Sequence, residues 1–233
     1  MSKESGAGWK AGLAFGLIGA LVGGGAVALA TRHSGADIRD YLLENPEVLP
    51  EAMQKLDERR AARNIAANRA AIETPFAGAW AGARDGDVVL VEFFDYACGY
   101  CRKSNPDVER LLSEDPKLKV VWREWPVLGP DSEAAARVSL AAAQAGRFKP
   151  FHDQMFAAGR PTPEALAQAR ASHGISGELP AAAVEEELAK NFRIAQTLGA
   201  TGTPTFVVGD KVLQGAVGYE ALRDAIKEAR AKA

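Results

Sequence analysis

The chain has 233 residues, of which 47% are hydrophobic and 25% charged, and a formal net charge of −2. That balance is ordinary for a globular protein. It leaves no basic excess to neutralise phosphates, which excludes nucleic acid as the main partner. The two cysteines, Cys98 and Cys101, are too few to staple a scaffold, and both lie in one CxxC; their use is redox or metal chemistry.

The N-terminal Met1–Lys10 sets Lys3 and Lys10 against Glu4, and Ala11–Thr31 then carries no charge. A positive start before an apolar run reads as export or anchoring, so residues 1–31 are expected to be a signal peptide or membrane anchor. Ala28-Leu29-Ala30 before Thr31 suits cleavage. The run nevertheless approaches the ~20 residues that span a bilayer, and Gly12/Gly16 and Gly19/Gly23 have the small-xxx-small spacing of associating membrane helices. The balance tips slightly towards an uncleaved anchor.

Residues 37–73 read as a helical stalk with a break at Asn45-Pro46, where Asn45 is expected to cap a second helix with Pro46 at its first position. Leu49, Met53 and Leu56 repeat at four-then-three spacing, and Ile65 and Ile72 are seven apart. This thin apolar seam fits a narrow interface as well as it fits a solvated helix lying on the main domain. Thr74-Pro75 ends the helix.

From Thr74 onward enough chain remains for one buried core. Val88–Phe94 is apolar except for Glu92, as in a central strand covered on both faces. It leads into Cys98-Gly99-Tyr100-Cys101 and a helix to about Ser113, which Pro106 is expected to kink or restart. Leu118–Trp125 is a second strand. Residues 130–198 are Ala-rich, broken at Gly146, Gly159-Arg160-Pro161 and Ser172–Pro180, and read as a block of several helices. Thr205–Val208 and Lys211–Leu213 form a hairpin around Gly209-Asp210. Tyr219–Ala231 closes the chain as an amphipathic helix with Leu222 and Ile226 inward. The order β, α, β, helical block, β, β, α implies an α/β fold, a mixed sheet flanked by helices.

The chemistry follows from the dithiol. The thiolate is the nucleophile, and a helix N-terminus stabilises it through unpaired N–H groups and the macrodipole. Cys98, at the helix mouth, is expected to attack; Cys101, one turn on, is expected to resolve the mixed disulfide. Zinc needs four ligands, and His33, His152 and His173 show no ligand spacing, so no metal or other cofactor is expected. A Cys–His hydrolase is disfavoured because the second cysteine would lock the first in a disulfide. His152 reads as a packed or solvated helix residue. Glu92, if buried, has its pKa raised and is placed to exchange a proton with Cys101. Thr203-Pro204 precedes a strand; by base rate alone its peptide bond is trans.

VEFFDYACGYC, the mid-chain helical block and GTPTF together resemble the DsbA-like branch of the thioredoxin superfamily over about Thr74–Ala233. The resemblance implies a thioredoxin fold over residues 74–129 and 199–233, with an inserted helical domain over 130–198. It implies that Pro204 is cis and adjacent to Cys98, that Thr203 hydrogen-bonds a substrate backbone, and that Glu92 is the buried acid before the nucleophile. Gly99-Tyr100 and Thr203 look like isomerase-type members, and substrate contact is expected at all of Thr203, Pro204, Gly99 and Tyr100. Residues 37–73 are similar to the oligomerisation segment of suppressor-of-copper-sensitivity C proteins, which implies a homo-oligomer, trimer or dimer. The expected protein is therefore a thiol–disulfide oxidoreductase of the bacterial periplasm, secreted or tethered to the inner membrane. Its expected partners are exported proteins with thiols or wrong disulfides and a membrane redox protein that recycles the dithiol. The competing readings are a copper(I)-binding module and a tethered chaperone.

Overall fold

The computed structural model describes residues 37–232. The expected leader or anchor, residues 1–31, lies outside them. Among the described residues no helix is long and apolar enough to cross a membrane. The chain divides into two compact units at Leu56/Asp57, within helix α1 (Val48–Glu73).

In the N-terminal unit, residues 37–44 are helical. The Asn45 side-chain amide donates to the Tyr41 carbonyl at 2.9 Å. Asn45 therefore closes the first helix rather than capping the second: its amide group serves an orphan carbonyl at a helix C-terminus. Ile38, Tyr41, Leu43, Leu49, Met53 and Leu56 are all exposed.

The C-terminal unit is built on a five-stranded sheet: β1 (Trp80–Gly82), β2 (Val88–Phe94), β3 (Leu118–Glu124), β4 (Thr205–Val208) and β5 (Lys211–Gln214), in the order β1-β3-β2-β4-β5. Only β2 and β3 run parallel, joined through α2 (Gly99–Glu114). The other three pairings are antiparallel, giving the mixed sheet expected of a thioredoxin-type α/β fold. The three-residue β1 was not foreseen, being too short to show a period. Its last residue, Gly82, has φ +88°, and a Cβ there would lie 2.2 Å from the Leu118 carbonyl oxygen, so no other residue fits.

Strand parity sorts the core into two faces. Leu90 and Phe94 of β2 join Val120 and Trp122 of β3 and Phe206 and Val208 of β4 under α2 and the later helices. These helices are α3 (Pro130–Gln144), α4 (Phe148–Ala158) and α5 (Pro163–Ser172), and the closing α7 (Tyr219–Lys232), with Leu222 and Ile226 buried. The opposite face, with Val91, Phe93, Val121 and Val207, receives Ile65 and Ile72 from α1, Ile194 from α6 (Ala181–Thr197) and Leu198 from its C-cap. Ile65 and Ile72 are wholly buried, so the C-terminal part of the expected stalk is core rather than free seam. The register pairs Glu92 with Trp122 and Phe93 with Arg123. Glu92 thus faces α2, and Arg123 faces α1.

Arg123, 1% exposed, closes the C-terminus of α1. Its Nε donates to the Ile72 carbonyl at 2.8 Å, and Nη2 donates to the carbonyls of Ala71 and, at 2.6 Å, Thr74. Nη1 serves Asn191 Oδ1 at 2.8 Å and Glu187 Oε1 at 3.4 Å. The guanidinium fork thereby meets three carbonyls a helix end leaves unpaired. Helix α2 runs as one helix through Pro106, so of the two expectations, a kink or a restart, the restart does not occur. Pro106 is exposed, so water can reach the carbonyl one turn back that its missing N–H leaves without a donor.

Candidate active site

Strand β2 delivers the chain to a tight turn. The Cys98 N–H donates to the Asp95 carbonyl at 3.0 Å. Cys98 then becomes the N-cap of α2, with extended backbone (φ −77°, ψ 116°), and its sulfur accepts from the Cys101 N–H at 3.4 Å. An orphan donor of the first turn is thus aimed at the sulfur, as a capping oxygen would be served. From a loop more than a hundred residues on, the Thr203 carbonyl lies 3.2 Å from Cys98 Sγ and accepts from the thiol when protonated. Thr203-Pro204 is cis, the isomer that the family resemblance implied and the base rate opposed.

The two sulfurs differ sharply. Cys98 falls to about 5, chiefly through the hydrogen bond from the Cys101 side chain, with help from the Thr203 side chain and the N–H groups of Cys101 and Tyr100, and against desolvation. Cys101 is pushed far up by burial, then by its bond to Cys98 and the charge of Glu92. Both thiols are free. Glu92 is 2% exposed. Burial raises its carboxyl to about 8, although the Trp122 indole N–H donates to Oε2 at 3.0 Å and favours the anion; the Cys98 charge adds to the rise. An acidic outer thiol, a reluctant inner thiol and a buried acid with a mid-range pKa therefore share one end of the sheet. Of the remaining expected site residues, Gly99 and Tyr100 are exposed and Pro204 is buried. A Cβ at Gly99 would meet nothing within 4 Å, so packing does not require a glycine there. Among the described residues no group of three or more His, Cys, Asp or Glu is arranged to hold a metal. His152 lies buried in an aromatic cage of Phe94, Tyr96, Trp122, Phe148 and Phe156, as the packed reading had it.

Sequence reasoning overlooked Asp95. It is 1% exposed, and its carboxylate accepts from the N–H groups of Ala97, Val127 and Leu128 at 2.8, 2.8 and 3.0 Å. The available signal was an acid in an otherwise apolar FFDY segment.

The family model of the DSBA-like thioredoxin domain matches residues 89–227. The chain belongs to that family. The model of the copper resistance protein ScsC N-terminal domain matches residues 35–63. A linker-deleted variant of Proteus mirabilis ScsC is 29% identical, covering 87% of this chain and 95% of that one at a TM-score of 0.73. A thioredoxin-like oxidoreductase from Silicibacter pomeroyi is 36% identical, covering 71% and 99% at a TM-score of 0.65. The Na(+)/H(+) antiporter NhaA 3 of Salinispora tropica is 32% identical over 163 residues, 65% of this chain and 24% of the antiporter. The chain spans about a quarter of the length of the curated relatives it matches. Within the DSBA-like family, the ScsC-type N-terminal segment places this chain with proteins that join such a segment to the thioredoxin domain.

Proposed function

We propose that this DSBA-like protein exchanges disulfides with exported polypeptides in the bacterial envelope through Cys98 and Cys101. The observation that carries the reading is the Cys98 sulfur at the mouth of α2, held by the Cys101 N–H and facing Thr203. The Cys98 thiolate attacks a client disulfide; one client sulfur leaves as thiolate and a mixed disulfide forms. Cys101 then gives its proton to the Glu92 carboxylate and attacks Cys98, releasing the second client thiolate. The client is reduced, and Cys98–Cys101 becomes a disulfide. The reverse sequence oxidises a client dithiol, with Glu92 returning the proton. Isomerisation is attack at one client disulfide and release at another, with no net electron transfer. Thr203, Gly99 and the exposed Tyr100 form the client-facing rim, with the buried cis-Pro204 next to Thr203 in the chain. A membrane redox partner restores the dithiol or disulfide between turnovers.

Copper(I) capture through the same pair needs both sulfurs as thiolates. The burial that holds Cys101 protonated works against it. An assembly through the N-terminal segment is supported by the ScsC-type match over residues 35–63 and by the exposed apolar side chains from Ile38 to Leu56. It favours the isomerase direction, since several sites can then address one client. Residues 1–31 supply export and, if retained, inner-membrane tethering; N-terminal sequencing of the mature protein distinguishes the two, with a start at Thr31 excluding the tether.

The test is insulin reduction and refolding of scrambled ribonuclease by the full chain and by Cys98→Ala. Wild-type activity in either assay, abolished in the variant, is expected; activity that survives Cys98→Ala overturns the proposal. Alkylation trapping in cells gives the direction, a mostly reduced pair in an isomerase or reductase and a mostly oxidised pair in an oxidase.

A further inference from the structure

Asp95 lies three residues before the nucleophile, and its two oxygens serve two different loops. Oδ1 accepts from the Ala97 N–H, in the turn that presents Cys98. Oδ2 accepts from both Val127 and Leu128, in the loop between β3 and α3. Asp95 is nearly sealed from solvent, whereas the side chains it anchors are not: Val127 and Leu128 are 43% and 54% exposed. Large apolar side chains held outward on a loop that shares its anchor with the turn presenting Cys98 are suited to an unfolded polypeptide, which brings apolar surface of its own. Only a group with two equivalent acceptors satisfies donors on both sides; an amide offers one acceptor and turns N–H donors towards the other loop.

We propose that Asp95 is a positioning residue that holds the Val127–Leu128 loop in register with Cys98, and so sets preference for polypeptide over small-molecule disulfides. The proposal rests on the exchange chemistry described above. Asp95 does not touch the reacting atoms. It acts through the loop, whose two apolar side chains orient the client disulfide for attack, a contribution that oxidised glutathione is too small to collect.

The test compares reduced wild type, Asp95→Asn, a loop variant with Val127→Ser and Leu128→Ser, and the triple variant. Each is reacted with insulin and with oxidised glutathione, and Cys98 is titrated by thiolate absorbance. Asp95→Asn is expected to slow the insulin reaction by roughly ten- to a hundredfold, the upper figure being the cost of a displacement of about 1 Å, with the glutathione rate and the Cys98 titration midpoint little changed. The loop variant changes only exposed side chains and should show the same selective loss, and Asp95→Asn should add nothing in the triple variant. Equal losses with both disulfides, or no loss, overturn the role of Asp95. So does a loop variant that reacts with insulin at the wild-type rate, which keeps the proposal testable if Asp95→Asn fails to fold. A wild-type protein inert to both disulfides would instead overturn the exchange reaction itself, and the proposal with it.

Discussion

Replacing Glu92 by Gln tests the buried acid through stability rather than turnover. Burial raises its carboxyl from 4.5 to about 8. The folded state therefore holds a proton that the unfolded state releases in that window. The folded protein has its full stability below about pH 4.5, loses it as pH rises through 8, and is flat above. At ~1.4 kcal/mol per pH unit, the ionised carboxylate destabilises the fold by ~5 kcal/mol above pH 8 and by ~3 kcal/mol at pH 7. Gln keeps an oxygen for the Trp122 indole N–H but buries an NH2 with no evident acceptor, a loss of about 1–3 kcal/mol at every pH. Glu92→Gln should thus be less stable than wild type near pH 4.5 and more stable, by ~2–4 kcal/mol, above pH 8. Cys98, lowered to about 5, contributes in the opposite sense: it adds stability as pH rises from 5 towards 9. Both proteins carry it, so it largely cancels in the difference. Urea denaturation of the reduced proteins from pH 4.5 to 9 provides the curves. Parallel profiles for Glu92→Gln and wild type would refute the raised carboxyl and, with it, the proton exchange with Cys101.

Thiolate absorbance of reduced protein should titrate with a midpoint near 5 for Cys98, leaving ~99% ionised at pH 7; a midpoint near 9 would refute activation at the helix mouth. Arg123→Met should destabilise the protein by about 3–5 kcal/mol, because Glu187 and three helix carbonyls lose a buried partner. Hydrogen exchange should accelerate first over the last turns of α1, and a loss under ~1 kcal/mol would show that the fork contributes little. Deleting residues 37–56 from the full chain should convert an oligomer to a monomer in sedimentation; an unchanged sedimentation coefficient per subunit mass would reject assembly through that segment.

Much of the site was legible along the chain because its signals are local. A buried strand running into CxxC places a sulfur at a helix N-cap whatever surrounds it, and the single acid in that strand announces Glu92. The turn at Gly209 and the breaks between α3, α4, α5 and α6 are written in glycine and proline, whose backbone preferences need no partner. What could not be read depends on groups far apart in sequence. Ile65 and Ile72 have the same spacing whether they form an interface seam or pack on a sheet; the sheet face formed by Val91, Phe93 and Val121 decided for the core. Arg123 carries no signal of its own within its strand, and its role appears only when α1 ends with its carbonyls against it. The FFDY acid has meaning only when the loop after β3 returns its N–H groups to the second oxygen. The cis bond at Pro204 and the approach of Thr203 to Cys98 came from the resemblance of GTPTF and not from any local pattern, because they too belong to a packed core. Periodicity and capping are properties of neighbours a few residues apart, whereas these pairings exist only after the sheet has brought distant segments to a common end.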